Sequence, residues 1–293
     1  MKILVAKDFG MCFGVRDAIA QAEKLAADQP LTILGELVHN PIVRERLQQQ
    51  GVREGALEDT ISSSRRVMIT AHGASDKRRE EWRAAGFEVA DGTCPLVHHA
   101  HEQLKRLVAA GFFPVVIGKR GHVEVNGLIE DFPNGVVVGA REDVAQLPIQ
   151  SRYGIISQTT QPIEFVREIV TLIRQTYPSA EVRFVDTVCR PTKDRQLALL
   201  KLIEVAEAIV VVGGLTSNNT RQLVKTCRAA GRTAFHIERP DELQPDWFVG
   251  MKTIGLTAGT STLPETVEAV ERRLQEISRS ANNKPTTNQK PNQ

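Results

Sequence analysis

Short runs of β-branched and other apolar residues recur along the chain, and most are followed by a polar loop and then by a segment with helical spacing. Because this alternation is typical of βα units, it predicts an α/β fold with mainly parallel sheets. The predicted strands are residues 2–6, 31–34, 66–70, 87–90, 113–117, 136–138, 153–156, 182–185, 208–212, 233–237 and 253–256. The predicted helices are residues 15–27, 76–85, 97–110, 163–176, 192–206, 219–230 and 264–278.

Three cysteines mark a coarse internal repeat. The segments LVAKDFGMC, FEVADGTC and RFVDTVC each pass from an apolar strand through an aspartate to a thiol, at Cys12, Cys94 and Cys189. The intervals, 94 − 12 = 82 and 189 − 94 = 95 residues, each hold about one small α/β domain. We therefore expect three small α/β domains around a common centre: residues 13–94, residues 95–189, and residues 1–12 with 190–279. Residues 280–293 are predominantly polar and are predicted to be disordered.

Charge and composition narrow the classes of partner. The 37 Lys and Arg residues nearly balance the 35 Asp and Glu, and only 5% of residues are aromatic, which argues against nucleic acid as a ligand. No apolar run is long enough for a signal sequence or a membrane span, so we expect a cytoplasmic protein. In that reducing compartment the four cysteines serve packing, catalysis or metal binding rather than disulfides. Cys227 lies mid-helix in RQLVKTCRAA, and we expect it to pack in a core.

The loops that follow the predicted strands are rich in groups that can bind an anion. Ligands of parallel α/β sheets bind beyond the carboxyl ends of the strands, where these loops converge. Histidine, hydroxyl and amide side chains there suit phosphate oxygens, and Glu124 is the natural proton donor. Neither a GxGxxG nor a GxxxxGK[ST] motif follows a strand, which removes the main signals for nucleotide binding. The strand-end residues are His39, His72, His122, Glu124, Thr159, Thr160, Ser217, Asn219 and Ser261.

Each of these groups also has an ordinary structural interpretation. Strand-end cysteines are core residues about as often as they are ligands, and Ser, Thr and Asn after a strand commonly cap the next helix. His98, His99 and His101 are predicted to be surface or capping residues of this kind. If the three repeat cysteines do bind metal, they are too few to complete a tetrahedral zinc or a four-iron four-sulfur site, so one metal position stays open. A fourth ligand from histidine would instead make a closed Cys3His zinc site.

Taken together, these motifs resemble the 4-hydroxy-3-methylbut-2-enyl diphosphate reductase family, the last enzyme of the non-mevalonate isoprenoid pathway. The resemblance extends from about residue 3 to residue 272. The segments that carry it are GMCFGV, GELVHN, AHG, DGTCPLV, GHVEVNG, SQTT, TVCRPTKDRQ, SNNT and TAGTST.

The resemblance implies three α/β domains in a trefoil around one four-iron four-sulfur (4Fe-4S) cluster, with Cys12, Cys94 and Cys189 as ligands. It implies reductive dehydroxylation of the named diphosphate to isopentenyl and dimethylallyl diphosphate, with electrons from a ferredoxin or a flavodoxin. Glu124 and Thr159 are implied to be catalytic. The implied substrate-binding residues are His39, His72, His122, Thr159, Ser217, Asn218, Asn219 and Ser261. The alternative from another class is a zinc-binding structural or RNA-associated α/β protein.

Overall fold

The computed structural model describes residues 1–282, along which strands and helices alternate. In chain order the strands are β1 (Lys2–Val5), β2 (Leu31–Leu34), β3 (Arg53–Gly55), β4 (Arg66–Ile69), β5 (Glu88–Asp91), β6 (Phe113–Ile117), β7 (Val136–Val138), β8 (Arg152–Ser157), β9 (Glu181–Phe184), β10 (Ala208–Val212), β11 (Thr233–Ile237) and β12 (Thr253–Ala258). The α-helices are α1 (Phe13–Asp28), α2 (Pro41–Gln49), α3 (Asp76–Ala84), α4 (Pro95–Ala109), α5 (Val123–Ile129), α6 (Ile163–Thr176), α7 (Arg190–Val205), α8 (Asn218–Ala229) and α9 (Pro264–Asn282). Short 3-10 helices occupy Arg141–Gln146, Pro240–Glu242 and Pro245–Phe248.

The strands form three four-stranded sheets, with the strand orders β3-β2-β4-β5, β7-β6-β8-β9 and β1-β12-β10-β11. Every strand pair in these sheets is parallel, which confirms the predicted α/β class. All four residues of β2 and all five of β10 are buried. A strand covered on both faces favours apolar side chains, and these two segments are apolar except for Thr32, whose hydroxyl donates to that of Ser64 at 2.9 Å.

The described chain divides into two compact units. One is Met11–Gln196, which contains the sheets of β2–β5 and β6–β9; the other joins Met1–Gly10 to the chain from Leu197 onward. In the second unit, alternate residues of β10 point into two cores. Val210 packs in the core that contains Val270 of α9, and Ile209 packs in the core that contains Leu199 and Leu223. The predicted boundaries at 13–94, 95–189, and 1–12 with 190–279 group the strands as the sheets do, but the boundaries themselves stay a prediction.

One strand and two α-helices were not predicted from the sequence. Strand β3 is a three-residue edge strand with two charged residues, and α2 buries only Val43 and Leu47, so neither carries a strong apolar pattern. The sequence predicts a loop at residues 123–129, where the structure has the seven-residue helix α5. At the end of the chain α9 continues to Asn282, and residues 283–293 of the predicted tail lie outside the described residues. Within residues 1–282, every helix falls short of the length and apolarity needed to span a bilayer.

Candidate active site

The three repeat cysteines occupy equivalent local positions in the unit Met11–Gln196. Each is the residue directly before a helix: Cys12 before α1, Cys94 before α4 and Cys189 before α7. Neither Cys12 nor Cys94 uses its thiol to cap its helix. The free N–H groups at the start of a helix favour negative charge, which opposes the effect of burial on the pKa of a thiol.

Two observations bring the three thiols and Glu124 into one neighbourhood. A Cβ added to Gly14, in the first turn of α1, would lie only 2.4 Å from the Sγ of Cys94. Burial raises the pKa of Cys94 and raises that of Cys189 to about 11, and in both cases the charges of Cys12 and Glu124 push it further up. Thiols in this environment stay protonated unless a nearby positive charge favours the thiolate.

Three histidine rings form a compact cluster at the ends of loops in the same unit. The ring centroids of His39 and His72 are 4.4 Å apart and stacked, and His122 meets their edges at 5.5 and 5.4 Å. One ring nitrogen from each residue lies within 4.8 Å of the other two. The Nδ1 of His39 is 2.7 Å from a carboxylate oxygen of Glu36, which orients that ring.

Burial sets the protonation of this cluster. It lowers the pKa of His72 well below the usual value, with repulsion from His39 and His122 adding to the effect. For His122, burial, His39 and Lys119 lower the pKa to about 3. Both rings are therefore neutral near pH 7. The Nδ1 of His122 accepts the backbone N–H of Glu124 at 3.1 Å, so the ring proton of the neutral form is on Nε2. Among the described residues, the buried Nε2 atoms of His72 and His122 have no hydrogen-bond partner.

Glu124 lies in the first turn of α5, two residues after His122, which is the N-cap of that helix. Its side chain is 2% exposed. One carboxyl oxygen accepts the backbone N–H of Thr159 at 2.5 Å, and the other bonds to the Thr159 hydroxyl at 3.1 Å. Burial raises the pKa of Glu124 to about 7, although both hydrogen bonds act to lower it. The carboxyl group can therefore hold a proton at neutral pH and release it there.

Thr159 connects this acid to one of the cysteines. It follows β8, and its carbonyl oxygen accepts the backbone N–H of Cys189 at 2.9 Å. One residue thus holds Glu124 through its N–H and hydroxyl, and the start of α7 through its carbonyl. A comparable link joins the other loops, because the N–H of Cys94 donates to the carbonyl of Ala71 at 3.1 Å, next to His72.

The second unit carries its own cluster of buried polar residues at the start of α8. The hydroxyl of Ser217 caps this helix by accepting the N–H of Thr220, and the Oδ1 of Asn219 accepts the N–H of Thr260 at 3.0 Å. Asn218 and Ser261 are each 4% exposed. The hydroxyls of Thr220 and Thr257 are buried and have no hydrogen-bond partner among the described residues. Capping accounts for part of this cluster, as the ordinary interpretation expects, but not for the unpaired hydroxyls.

These features coincide with a family match along most of the sequence. The model of the family described as LytB protein matches residues 3–275. The chain belongs to the LytB protein family.

Curated LytB relatives carry the name that the motifs suggested. The 4-hydroxy-3-methylbut-2-enyl diphosphate reductase of Aquifex aeolicus (strain VF5) is 35% identical over 281 residues, which are 94% of this chain and 96% of the relative. The reductase of the same name from Dehalococcoides mccartyi (strain CBDB1) is 39% identical over 286 residues, which are 96% of this chain and 100% of the relative. The resemblance deduced from the motifs is thereby confirmed.

Two solved structures give the same result for the fold. The E-1-hydroxy-2-methyl-but-2-enyl-4-diphosphate reductase of Plasmodium falciparum superposes with a TM-score of 0.87 at 25% identity, covering 97% of this chain and 89% of that one. A second structure, titled as the (E)-4-hydroxy-3-methyl-but-2-enyl diphosphate reductase that ends the non-mevalonate pathway, has a TM-score of 0.66 at 35% identity and covers 94% and 100%. The predicted fold class is confirmed.

Several features of the site differ from those predicted from the sequence. Glu124 is on a helix and not in a loop, and Glu36, the partner of His39, was overlooked although it lies three residues earlier in GELVHN. His101 was wrongly taken for a surface or capping residue: it is 5% exposed, and its Nε2 is 3.0 Å from a carboxylate oxygen of Asp131. A single sequence gave no sign of that partner, which is 30 residues away along the chain. Cys227 is fully buried in a core, as predicted.

Proposed function

We propose that this LytB-family chain is an iron–sulfur oxidoreductase that converts 4-hydroxy-3-methylbut-2-enyl diphosphate into isopentenyl and dimethylallyl diphosphate. In this reaction one C–O bond breaks, two electrons and two protons are consumed, and one water leaves. The names of the curated relatives support this assignment of the substrate. The observation that carries the proposal on this chain is a fully buried carboxylic acid, Glu124, beside three cysteines that each start a helix.

Cys12, Cys94 and Cys189 are the residues that would hold the 4Fe-4S cluster. The fit is supported by the donor set, by the electrostatic interaction of Cys12 with both of the half-buried thiols of Cys94 and Cys189, and by the missing Cβ at Gly14 beside Cys94. Three thiolates leave one metal position without a protein ligand. When bound, the cluster supplies electrons and a Lewis-acidic position for the substrate hydroxyl.

His39, His72 and His122 are proposed to bind the diphosphate. The alternative of a metal ion held by the three rings is disfavoured by the tautomer of His122, because its Nε2 carries the proton and cannot donate a lone pair. An N–H that is buried without an acceptor instead needs an oxygen, and phosphate provides several. Neutral rings can serve here, since a hydrogen bond to a charged oxygen is strong without full charge on the donor.

Glu124 is proposed to supply a proton, with Thr159 holding its carboxyl group in place. A pKa of about 7 leaves a large fraction of the acid protonated at neutral pH, and burial keeps it from exchanging freely with bulk water. The Thr159 hydroxyl is 3.1 Å from the carboxyl oxygen of Glu124. It can therefore relay the proton of Glu124 to the substrate or return a proton to the carboxylate afterwards.

Ser217, Asn218, Asn219 and Ser261 are proposed from the family resemblance to contact the diphosphate as well. The proposal is supported by the bond between Asn219 and the N–H of Thr260, the neighbour of Ser261, because it brings these two buried polar segments together. Substitution of Ser217 by alanine is expected to raise KM with little change in iron content. A ferredoxin or a flavodoxin is proposed as the electron donor.

The direct test is an oxygen-free assay with 4-hydroxy-3-methylbut-2-enyl diphosphate and a reduced dye, run beside iron and acid-labile sulfide analysis of the same sample. We expect brown protein with equal iron and sulfide, oxidation of the dye that depends on substrate, and both diphosphate products. Colourless protein that contains zinc would favour the closed Cys3His site. Turnover by protein that contains no iron would show that the reaction does not require a 4Fe-4S cluster.

A further inference from the structure

Arg79 is a charged residue in the interior of the unit Met11–Gln196. It lies in α3, and only 6% of its surface is exposed. A buried guanidinium is costly unless its donors are paired, so its partners indicate why it is there. None of the motifs that carry the family resemblance includes it.

Within its own helix, the Nη1 of Arg79 is 3.4 Å from a carboxylate oxygen of Asp76, and its other partners belong to two different segments of the chain. Its Nη1 donates to the carbonyl of Ala74, in the loop between β4 and α3 that also contains His72. Its Nε is 3.3 Å from Asp91, and its Nη2 donates to the hydroxyl of Thr93 at 3.1 Å. Asp91 is the last residue of β5, and Thr93 lies in the segment that follows it and ends at Cys94. One side chain therefore bonds both to the loop of His72 and to the loop of Cys94.

The two loops touch at the same place. Gly73 has a φ of +80°, and a Cβ on it would lie 3.0 Å from Cγ2 of Thr93. Asp91 fixes the shape of its own turn, because its Oδ1 accepts the N–H of Thr93 at 2.9 Å and the hydroxyl of the same residue at 2.5 Å. The guanidinium thus holds a turn that is already shaped, and it adds the connection to Ala74.

We infer that Arg79 is a positioning residue that fixes the Cys94 thiol and the His72 ring relative to each other. This inference rests on the proposed function, in which Cys94 holds the cluster and His72 binds the diphosphate. Lysine cannot replace the residue, because contact with three acceptors in different directions requires the planar fork of a guanidinium. Loss of a group that orients a metal ligand commonly weakens metal retention about 10- to 100-fold.

The test compares Arg79→Lys with Arg83→Gln in full-length protein purified without oxygen. Arg83 is on the same helix, its side chain is 53% exposed, and it makes a 3.8 Å surface ion pair with Glu80, so it is a matched control. We expect a chelator to remove iron from Arg79→Lys about 10- to 100-fold faster than from the wild type. We also expect a changed electron paramagnetic resonance spectrum and a raised KM. Arg83→Gln should match the wild type in all three measurements.

A second variant separates positioning from general stability. Thr93→Val removes one contact of the guanidinium and keeps the charge, so it remains usable if Arg79→Lys fails to fold. We expect it to release iron faster than the wild type at a temperature where both are fully folded. Residues that act through one contact are not additive, so the double variant should release iron no faster than Arg79→Lys alone.

Wild-type rates of iron release and wild-type KM in both single variants would overturn the inference, as would effects that multiply in the double variant. These results are distinct from failure of the proposed function. In that case the wild type itself would hold no iron or would not turn over the diphosphate, whatever residue is at position 79.

Discussion

Glu124 illustrates how burial at a single residue determines chemistry. Its carboxyl group accepts two hydrogen bonds from Thr159, and burial nevertheless raises its pKa to about 7. Glu124→Gln retains the size and one acceptor oxygen, and its NH2 group can donate to the Thr159 hydroxyl, but it has no acidic proton to give. Because a positioned acid contributes about 10²- to 10⁴-fold to rate, we expect turnover to fall by a factor in that range. Iron content and KM, measured on the same sample, should stay close to the wild type.

The same residue makes stability depend on pH. The pKa of Glu124 is raised in the folded protein from 4.5 to about 7, so the unfolded chain binds fewer protons between these values and the folded state loses stability as pH rises through them. The neutral Gln side chain has no such dependence. We expect Glu124→Gln to become more stable relative to the wild type from pH 4.5 to pH 7, by about 3 kcal/mol in total. Urea unfolding of iron-free protein at pH 5 and pH 8 measures this, and an equal difference at the two pH values would contradict it.

At the scale of the element, one residue, His122, caps α5 and is also proposed to bind the diphosphate. The ring of His122 caps the helix that carries Glu124, and its buried Nε2 points away from that cap without a partner among the described residues. Asparagine is a good N-cap but has no imidazole, so His122→Asn should keep the stability and raise KM. His122→Ala should raise KM and also lose roughly 1 kcal/mol of stability. Thermal unfolding and steady-state kinetics of the pair separate the two roles.

Helix α1 contains a glycine, Gly14, that leaves room for a neighbouring sulfur atom. Replacement of glycine by alanine inside a helix ordinarily stabilises a protein by about 0.5–1 kcal/mol. At Gly14 the new Cβ would overlap the Sγ of Cys94, so we expect Gly14→Ala to lower the iron bound per chain. Arg16→Ala, on the same helix with a side chain that is 71% exposed, is the control and should keep its iron. Full iron in Gly14→Ala would mean that Cys94 can move away without loss of metal.

For the whole molecule, the parts that could be predicted from the sequence were those set by continuous local patterns. The predicted bounds of β2, β6, β10 and β11 match the structure, because each is a short and mainly apolar run. Strands β2, β6 and β10 are mostly buried, whereas β11 is buried only at Ala234 and Ile237. The parts that could not be predicted depend on contacts between distant segments. The capping of α5 by His122, the bond of Arg79 to Thr93 and the pairing of His101 with Asp131 each need the fold before they can be recognised.

The arrangement of the cysteines gives the most stringent prediction at this scale. Cys12, Cys94 and Cys189 come from three separate parts of the sequence, yet each starts a helix and two of them experience the charge of the third. Cys227 is fully buried in a core whose other described members are all apolar, so we expect it to pack there rather than to bind iron. We therefore expect serine at position 12, 94 or 189 to reduce iron and sulfide together, and Cys227→Ser to leave both unchanged at some cost in stability. Equal iron loss in the Cys227 variant, in protein that unfolds at the wild-type temperature, would show that the ligand set has been assigned wrongly.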